Sequence, residues 1–303
     1  MASKVSADLM DCVIVGGGAA GLTAATYLAR FRRSFIVMDG GASRLRRIPR
    51  THNTPGFPDG IVGLDLYRRL REQAEINGAT LQSGVASALT PCRDGFRLET
   101  TLGVVAARTV LLATGTTLCE PRIDHLDVGL ADGRIRYCPI CDGFEAQGQK
   151  IGVLAGARSA LSEAKFLRAY SERVFYVPAS VSAELGEQEV AAAERHGIAV
   201  LAAALDVRLV EGGVEIVSHD RPPLLLDTIY PCLGRSPQTA LGAALGAAVS
   251  DEGGLMVDAH QRTNVAGLYG AGDVLQGLDQ IASAFGQAAI AATTIHNSLA
   301  GQA

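Results

Sequence analysis

Cys138 and Cys141 stand three positions apart, with Pro139 after the first and Asp142 and Gly143 after the second. These residue types at this spacing suit a redox dithiol. The thiolate is the reactive form of cysteine, and its pKa falls when the first sulfur caps a helix N-terminus and hydrogen-bonds to its partner. Proline suits the first helical position, which makes Cys138 the expected cap. The other use of this spacing is half of a zinc site, but a second ligand pair at short spacing is missing, so no metal is expected. His125, the nearest preceding histidine, reads as an ordinary loop residue. The remaining cysteines, Cys12, Cys92, Cys119 and Cys232, are scattered and do not form a disulfide framework. Cys12 and Cys232 fall on or at the end of apolar runs and read as small core residues, whereas Cys92 falls in a turn.

A dithiol needs elements to position it and a partner for its electrons. The run 11–15 leads into Gly16-x-Gly18-x-x-Gly21 and then an amphipathic segment ending near Arg30. This strand, glycine turn and helix suit a dinucleotide. The first glycine permits the tight turn, the second lets a pyrophosphate approach the backbone, and the third lets helix and strand pack closely. A second strand, 34–38, ends in Asp39, where an acid accepts hydrogen bonds from a ribose. The stretch 40–63 reads as a long binding loop, whose arginines 44, 46, 47 and 50 suit either solvent or phosphate. Residues 64–78 have helical periodicity. Residues 81–89 and 96–101 alternate like strands around a turn at 91–95, and 109–112 is a buried strand running into Ala113-Thr114-Gly115.

The plan then repeats. Residues 150–154 read as a strand, 155–160 as a turn, 160–170 as a helix and 173–177 as a second strand. The run 227–231 leads into Cys232-Leu233-Gly234, echoing Ala113-Thr114-Gly115. Segments 207–209 and 214–218 suit a hairpin. Near the end, 268–270 reads as a strand ending in Gly272-Asp273, followed by a long alanine-rich helix over about 280–299.

The 303-residue chain, 48% apolar and 19% charged with 35 glycines, suits two compact domains of α/β class. A net charge of −4 argues against a nucleic-acid surface, and no apolar run is long enough to span a membrane. No leader-like start is evident, so a cytoplasmic setting is expected.

The ordered set Gly16-x-Gly18-x-x-Gly21, Asp39, Ala113-Thr114-Gly115, Cys138-x-x-Cys141-Asp142-Gly143, Gly234 with Pro237, and Gly272-Asp273 followed by Gln280 resembles the low-molecular-weight thioredoxin reductase family of flavoproteins. The resemblance covers nearly the whole chain. It implies two Rossmann-like nucleotide-binding domains, the second inserted in the first: an FAD domain over 1–117 and 240–303, and a dithiol-bearing domain over 118–239. By the same resemblance Gly16, Gly18, Ala19, Ala20, Gly21, Asp39 and Gly40 would hold the adenosine end of FAD. Asn53, Thr114 and Gly115 would lie nearer the flavin. Gly272 and Asp273 would meet the ribityl chain, with Gln280 and Ile281 at the ring. Cys141 would exchange electrons with the flavin, Cys138 would attack the substrate disulfide, and Asp142 would move the proton. A homodimer is the family expectation.

The second fingerprint departs from the family. Ala155 and Ala157 replace its first two glycines, and Pro178-Ala179-Ser180 replaces the basic run that holds a 2′-phosphate. NADPH binding is therefore disfavoured, and no acid replaces the basic run to favour NAD. The electron partner would be a ferredoxin-type donor or a second FAD in the vacated site, with Arg158 and Tyr176 as its contacts. The substrate would be a thioredoxin-like protein or a small disulfide or dithiol. Two other readings are a flavin-dependent dithiol oxidase using oxygen and a non-catalytic flavin-binding redox sensor. Retention of both cysteines and Asp142 weighs against the last.

Overall fold

The computed structural model describes residues 9–301; the outermost residues, including those read for a leader, lie outside them. The first elements are β1 (Met10–Val15), α1 (Ala19–Arg30), β2 (Phe35–Asp39), α2 (Gly63–Ile76), β3 (Thr80–Ser83), β4 (Ala86–Cys92), β5 (Gly95–Thr100), β6 (Gly103–Leu112) and β7 (Thr116–Leu118). They continue with α3 (Leu126–Ala131), α4 (Pro139–Asp142), β8 (Lys150–Ala155), α5 (Leu161–Leu167), β9 (Arg173–Pro178), α6 (Glu187–Arg195), β10 (Ile198–Val200), β11 (Ala204–Val210), β12 (Gly213–Ser218), β13 (Leu224–Leu226), β14 (Thr228–Cys232) and β15 (Arg235–Pro237). The last are α7 (Ala240–Ala243), β16 (Leu268–Gly270) and α8 (Ile281–Ala300).

The chain divides into two compact units. One comprises 1–50, 54–117 and 236–303, and the other 51–53 and 118–235. The first is built on a seven-stranded sheet in the order β3-β2-β1-β6-β5-β4, with β16 also paired to β6. Strands β3, β2, β1, β6 and β16 pair in parallel, while β6, β5 and β4 pair antiparallel. Both faces of the parallel part are covered, which explains the continuous apolar run of β1. Cys12 and Ile14 pack beneath α1 and α8, whereas Val13 and Val15 join Met38, Leu98, Val110 and Leu255 on the other face. On α8 the buried residues Ala284, Ala288, Ala291, Ala292, Ile295 and Leu299 recur at helical spacing. Burial pushes the Cys12 thiol up to about 12, as befits a core residue.

The second unit has the parallel sheet β10-β9-β8-β14. Leu161, Ala164 and Leu167 of α5 and Ala193 of α6 share a buried cluster with Ile151, Val153 and Tyr176 of the sheet. The antiparallel β11-β12-β13 sheet contributes Val214, Ile216 and Leu226 to a separate cluster with Leu154, Val177 and Ile229.

Three local expectations are corrected. The alternating run 81–89 is two strands, β3 ending at Ser83 and β4 starting at Ala86, and between them a Cβ on Gly84 would lie 2.9 Å from Thr101 Oγ1 and 3.0 Å from Met38 Cε. The turn expected at 91–95 is shorter, since β4 continues through Pro91 to Cys92; an edge strand tolerates the missing N–H. The helix expected over 160–170 is a 3₁₀ turn over Arg158–Ala160 followed by the seven residues of α5.

Candidate functional site

The dithiol lies at the start of α4. Cys138 is the N-cap in an extended conformation, Pro139 is the first helical residue, and Cys138 Sγ accepts the Cys141 N–H at 3.1 Å. The two sulfurs are joined as a disulfide, with Cα atoms 5.2 Å apart. Both cysteines are half-buried, whereas Ile140 and Phe144 are exposed. Among the described residues, no group of three His, Cys, Asp or Glu side chains is placed to hold a metal ion.

Asp142, the last residue of α4, is held by two segments that the motif does not contain. Tyr230 of β14 donates its hydroxyl to Asp142 Oδ1 at 3.0 Å, and Arg136 Nη1 stands 3.3 Å from Oδ2. Burial pushes the Asp142 carboxyl above its ordinary value, opposed by the Arg136 charge and by the hydrogen bonds from Tyr230 and Arg136. Burial and the facing carboxylate raise the Tyr230 phenol as well, so it serves as a donor. Sequence reading missed both partners. A tyrosine inside the apolar run of β14 was the one available signal, since a buried hydroxyl needs a partner.

The first fingerprint has the form a dinucleotide requires. Gly16 leaves β1 at φ +114°, and a Cβ there would lie 2.2 Å from Ala113 O. A Cβ on Gly21 would lie 1.8 Å from Gly16 O, so this glycine lets α1 settle on β1. In front of Gly18 the backbone is approachable, since within 4 Å of a Cβ there lies only Ser43 Oγ, at 3.6 Å. Gly18 caps the twelve-residue α1, so the helix N-terminus with Ala19 and Ala20 faces that opening. These features fit the pyrophosphate of FAD.

Asp39 ends β2 and is nearly buried, accepting from Gly41 N–H at 2.8 Å and Tyr67 O–H at 2.9 Å; Gly40 is exposed. Gly272 packs against Ala20, and its N–H donates to Gln287 Oε1 at 2.8 Å. The adjoining Asp273 pairs with Arg44 at 2.8 Å, which gives one arginine of the loop a defined place. Gln280 is the N-cap of α8, directly before Ile281. The Thr114 hydroxyl donates to Gln238 O, and Gln238 N–H donates to Gly115 O, so both residues anchor the returning chain. Asn53 is exposed, accepts from the Thr51 hydroxyl at 3.0 Å, and groups with the second unit. His125 is exposed in a left-handed conformation at the start of α3.

The second fingerprint is built differently. Ala155 remains paired with Pro178 and Cys232 inside the sheet, and a Cβ on Gly156 would lie 2.7 Å from Leu233 Cα. Tyr176 is a correction: it is fully buried and donates to Ala183 O at 2.8 Å, so it is a core residue rather than a flavin contact. Arg158 donates to Glu184 O at 2.9 Å and faces Glu189 at 3.8 Å.

Comparison with known proteins gives one consistent result. Residues 10–288 match the family described as pyridine nucleotide-disulphide oxidoreductase. A thioredoxin reductase of Streptomyces coelicolor is 31% identical over 288 residues, covering 88% of this chain and 87% of its own. The thioredoxin reductase structure from Streptococcus pyogenes is 26% identical with a TM-score of 0.88, covering 98% of this chain and all of its own, 100%. The atypical thioredoxin reductase of Desulfovibrio vulgaris Hildenborough is 30% identical with a TM-score of 0.55, covering 96% of this chain and 98% of its own.

Proposed function

The chain belongs to the pyridine nucleotide-disulphide oxidoreductase family, and from that premise we propose that it is a thioredoxin reductase-like, FAD-dependent disulfide oxidoreductase that does not hold NADPH tightly. The observation carrying this reading is the Cys138–Cys141 disulfide at the head of α4, with Asp142 half-buried beside it. Gly16, Gly18, Ala19, Ala20, Gly21 and Asp39 would hold FAD, with Asp273 and the head of α8 at its other end. Bound FAD supplies a two-electron store for the dithiol.

The exchange at the dithiol balances within the chain and its substrate. The Cys138 thiol gives its proton to the Asp142 carboxylate as its sulfur attacks a substrate disulfide. A mixed disulfide forms, and the leaving substrate thiolate takes the proton. The Cys141 thiolate then attacks Cys138 Sγ, releasing the second substrate thiolate and restoring the Cys138–Cys141 disulfide. The exposed Ile140 and Phe144 flank this pair and favour a protein disulfide, of thioredoxin type, as the substrate. The burial of Tyr176 removes one of the two contacts expected for a second flavin. A ferredoxin-type protein donor, which needs no nucleotide cradle, is the reading we prefer.

Anaerobic addition of NADPH, reduced ferredoxin or a dithiol to the yellow protein, followed by flavin absorbance, tests this. Slow bleaching by NADPH and fast bleaching by ferredoxin or dithiol support it, whereas rapid bleaching by NADPH overturns the claim about the second fingerprint. Cys138→Ser and Cys141→Ser should each abolish turnover with FAD retained. Turnover surviving either change removes the dithiol from the mechanism.

A further inference from the structure

Asp142 is gripped by two side chains that reach it from different segments. Residues 133–136 run beside β14: Ile135 forms a parallel bridge with Ile229, Arg136 N–H donates to Ile229 O at 2.9 Å, and Ile229 N–H donates to Arg134 O at 2.9 Å. The buried Thr228 hydroxyl donates to Gly133 O at 2.9 Å, fixing the start of the segment. This register puts Arg136 and Tyr230 one residue beyond the bridge on their respective segments. Gly133, at φ +78°, leaves room for the guanidinium, since a Cβ there would lie 2.8 Å from Arg136 Nη2. The two carboxylate oxygens are divided, with Oδ1 accepting from Tyr230 and Oδ2 facing Arg136. Divided contacts of this kind fix the plane of a carboxylate as well as its position. Tyr230 is fully buried, so it cannot pass a proton to solvent and acts only as a donor.

We propose that Arg136 and Tyr230 are positioning residues that orient Asp142 and set the pH at which it can accept the Cys138 proton. This rests on the reading of Asp142 as the proton-exchanging group of the dithiol. The charged and titratable groups that face Asp142 are Arg136 from the segment beside β14, Tyr230 from β14, and Glu145 from its own chain just beyond α4. Arg136 and the Tyr230 hydroxyl favour the ionised carboxyl, whereas burial and Glu145 oppose it. Removing either donor while the group stays buried therefore raises the pH at which Asp142 ionises.

The test is the rate at which the reduced protein reacts with a chromogenic aromatic disulfide across pH, with thermal unfolding measured in parallel. Arg136→Gln should move the acid limb of the profile up by about one pH unit and Tyr230→Phe by about half a unit. Arg136→Lys should restore most of the shift. In an Asp142→Asn background neither change should move the limb further, because both act through that carboxyl. Arg136 or Tyr230 variants that lower the unfolding temperature without moving the limb overturn the proposal, as does a shift that persists unchanged in the Asp142→Asn background. An unaltered profile in Asp142→Asn alone instead defeats the underlying reading of Asp142, so the two failures are distinguishable.

Discussion

After β1 the chain leaves the sheet at Gly16, and α1 begins three residues later, with only Ser43 Oγ in ordinary contact distance of a Cβ on Gly18. After β8 Ala155 keeps its place in the sheet, and a 3₁₀ turn precedes the short α5. The two turns occupy equivalent places in related units, yet their backbones take different paths. A residue with a Cβ resists the positive φ of Gly16, so alanine at the matching position stays extended. The difference teaches that alanines in a fingerprint alter the backbone path as well as adding a methyl group at the approach point. The unit whose turn carries the alanines also carries the dithiol, since α4 lies just ahead of β8 in the chain.

The largest effect that would test this contrast is at the third position. Gly21→Ala forces a methyl into Gly16 O and should cost about 3 kcal/mol or more in urea unfolding. Ala160, its buried counterpart, should tolerate Ala160→Gly at a cost of about 1 kcal/mol. Similar costs at both sites would show that the two turns are not different in kind. Next comes Gly18→Val, whose Cβ would make an ordinary contact with Ser43 Oγ and which should cost only about 1 kcal/mol as a poorer cap of α1. The flavin-to-protein ratio after purification should nevertheless fall at least tenfold, to about a tenth of wild type; an unchanged ratio breaks the assignment of this cradle. Smaller still is the gain from Ala155→Gly with Ala157→Gly. NADPH affinity by calorimetry should rise by less than about tenfold, because 178–180 still lack basic side chains for the 2′-phosphate. Recovery of tight binding would show that the two methyl groups alone closed the site.

The smallest expected effect concerns the dithiol of the second unit. Because the folded Asp142 carboxyl titrates above its ordinary value of 3.8, its ionisation costs more in the folded state than in the unfolded chain. The stability it contributes is full below that ordinary value and is lost as pH rises through the folded one. Wild-type stability relative to Asp142→Asn should therefore decline gently from acid toward neutral pH in parallel urea titrations. A difference that grows with pH would mean that Arg136 and Tyr230 outweigh burial.

Much of this architecture was legible in residue types. Gly16, Gly18 and Gly21 are read from sequence because each answers a local demand, a positive φ or a close approach, that other residues meet poorly. The Cys138 cap and Pro139 are likewise local, and the departures at Ala155 and Ala157 were visible for the same reason. Tyr176 was misread because an aromatic on a strand next to an expected cleft looks the same whether it faces ligand or core. Its burial depends on how β9 packs beneath α5 and α6.

The sequence by itself therefore determined the twice-used strand–turn–helix plan, the presence of alanines in the second turn and the placing of Cys138 and Cys141 at a helix start. Each is a steric or capping requirement met within a few residues. Only the tertiary structure decided what surrounds Asp142. Tyr230 lies 88 residues further along the chain, and the register between 133–136 and β14 aligns it with Arg136. Contacts at that separation depend on how segments pair, which residue types alone do not specify.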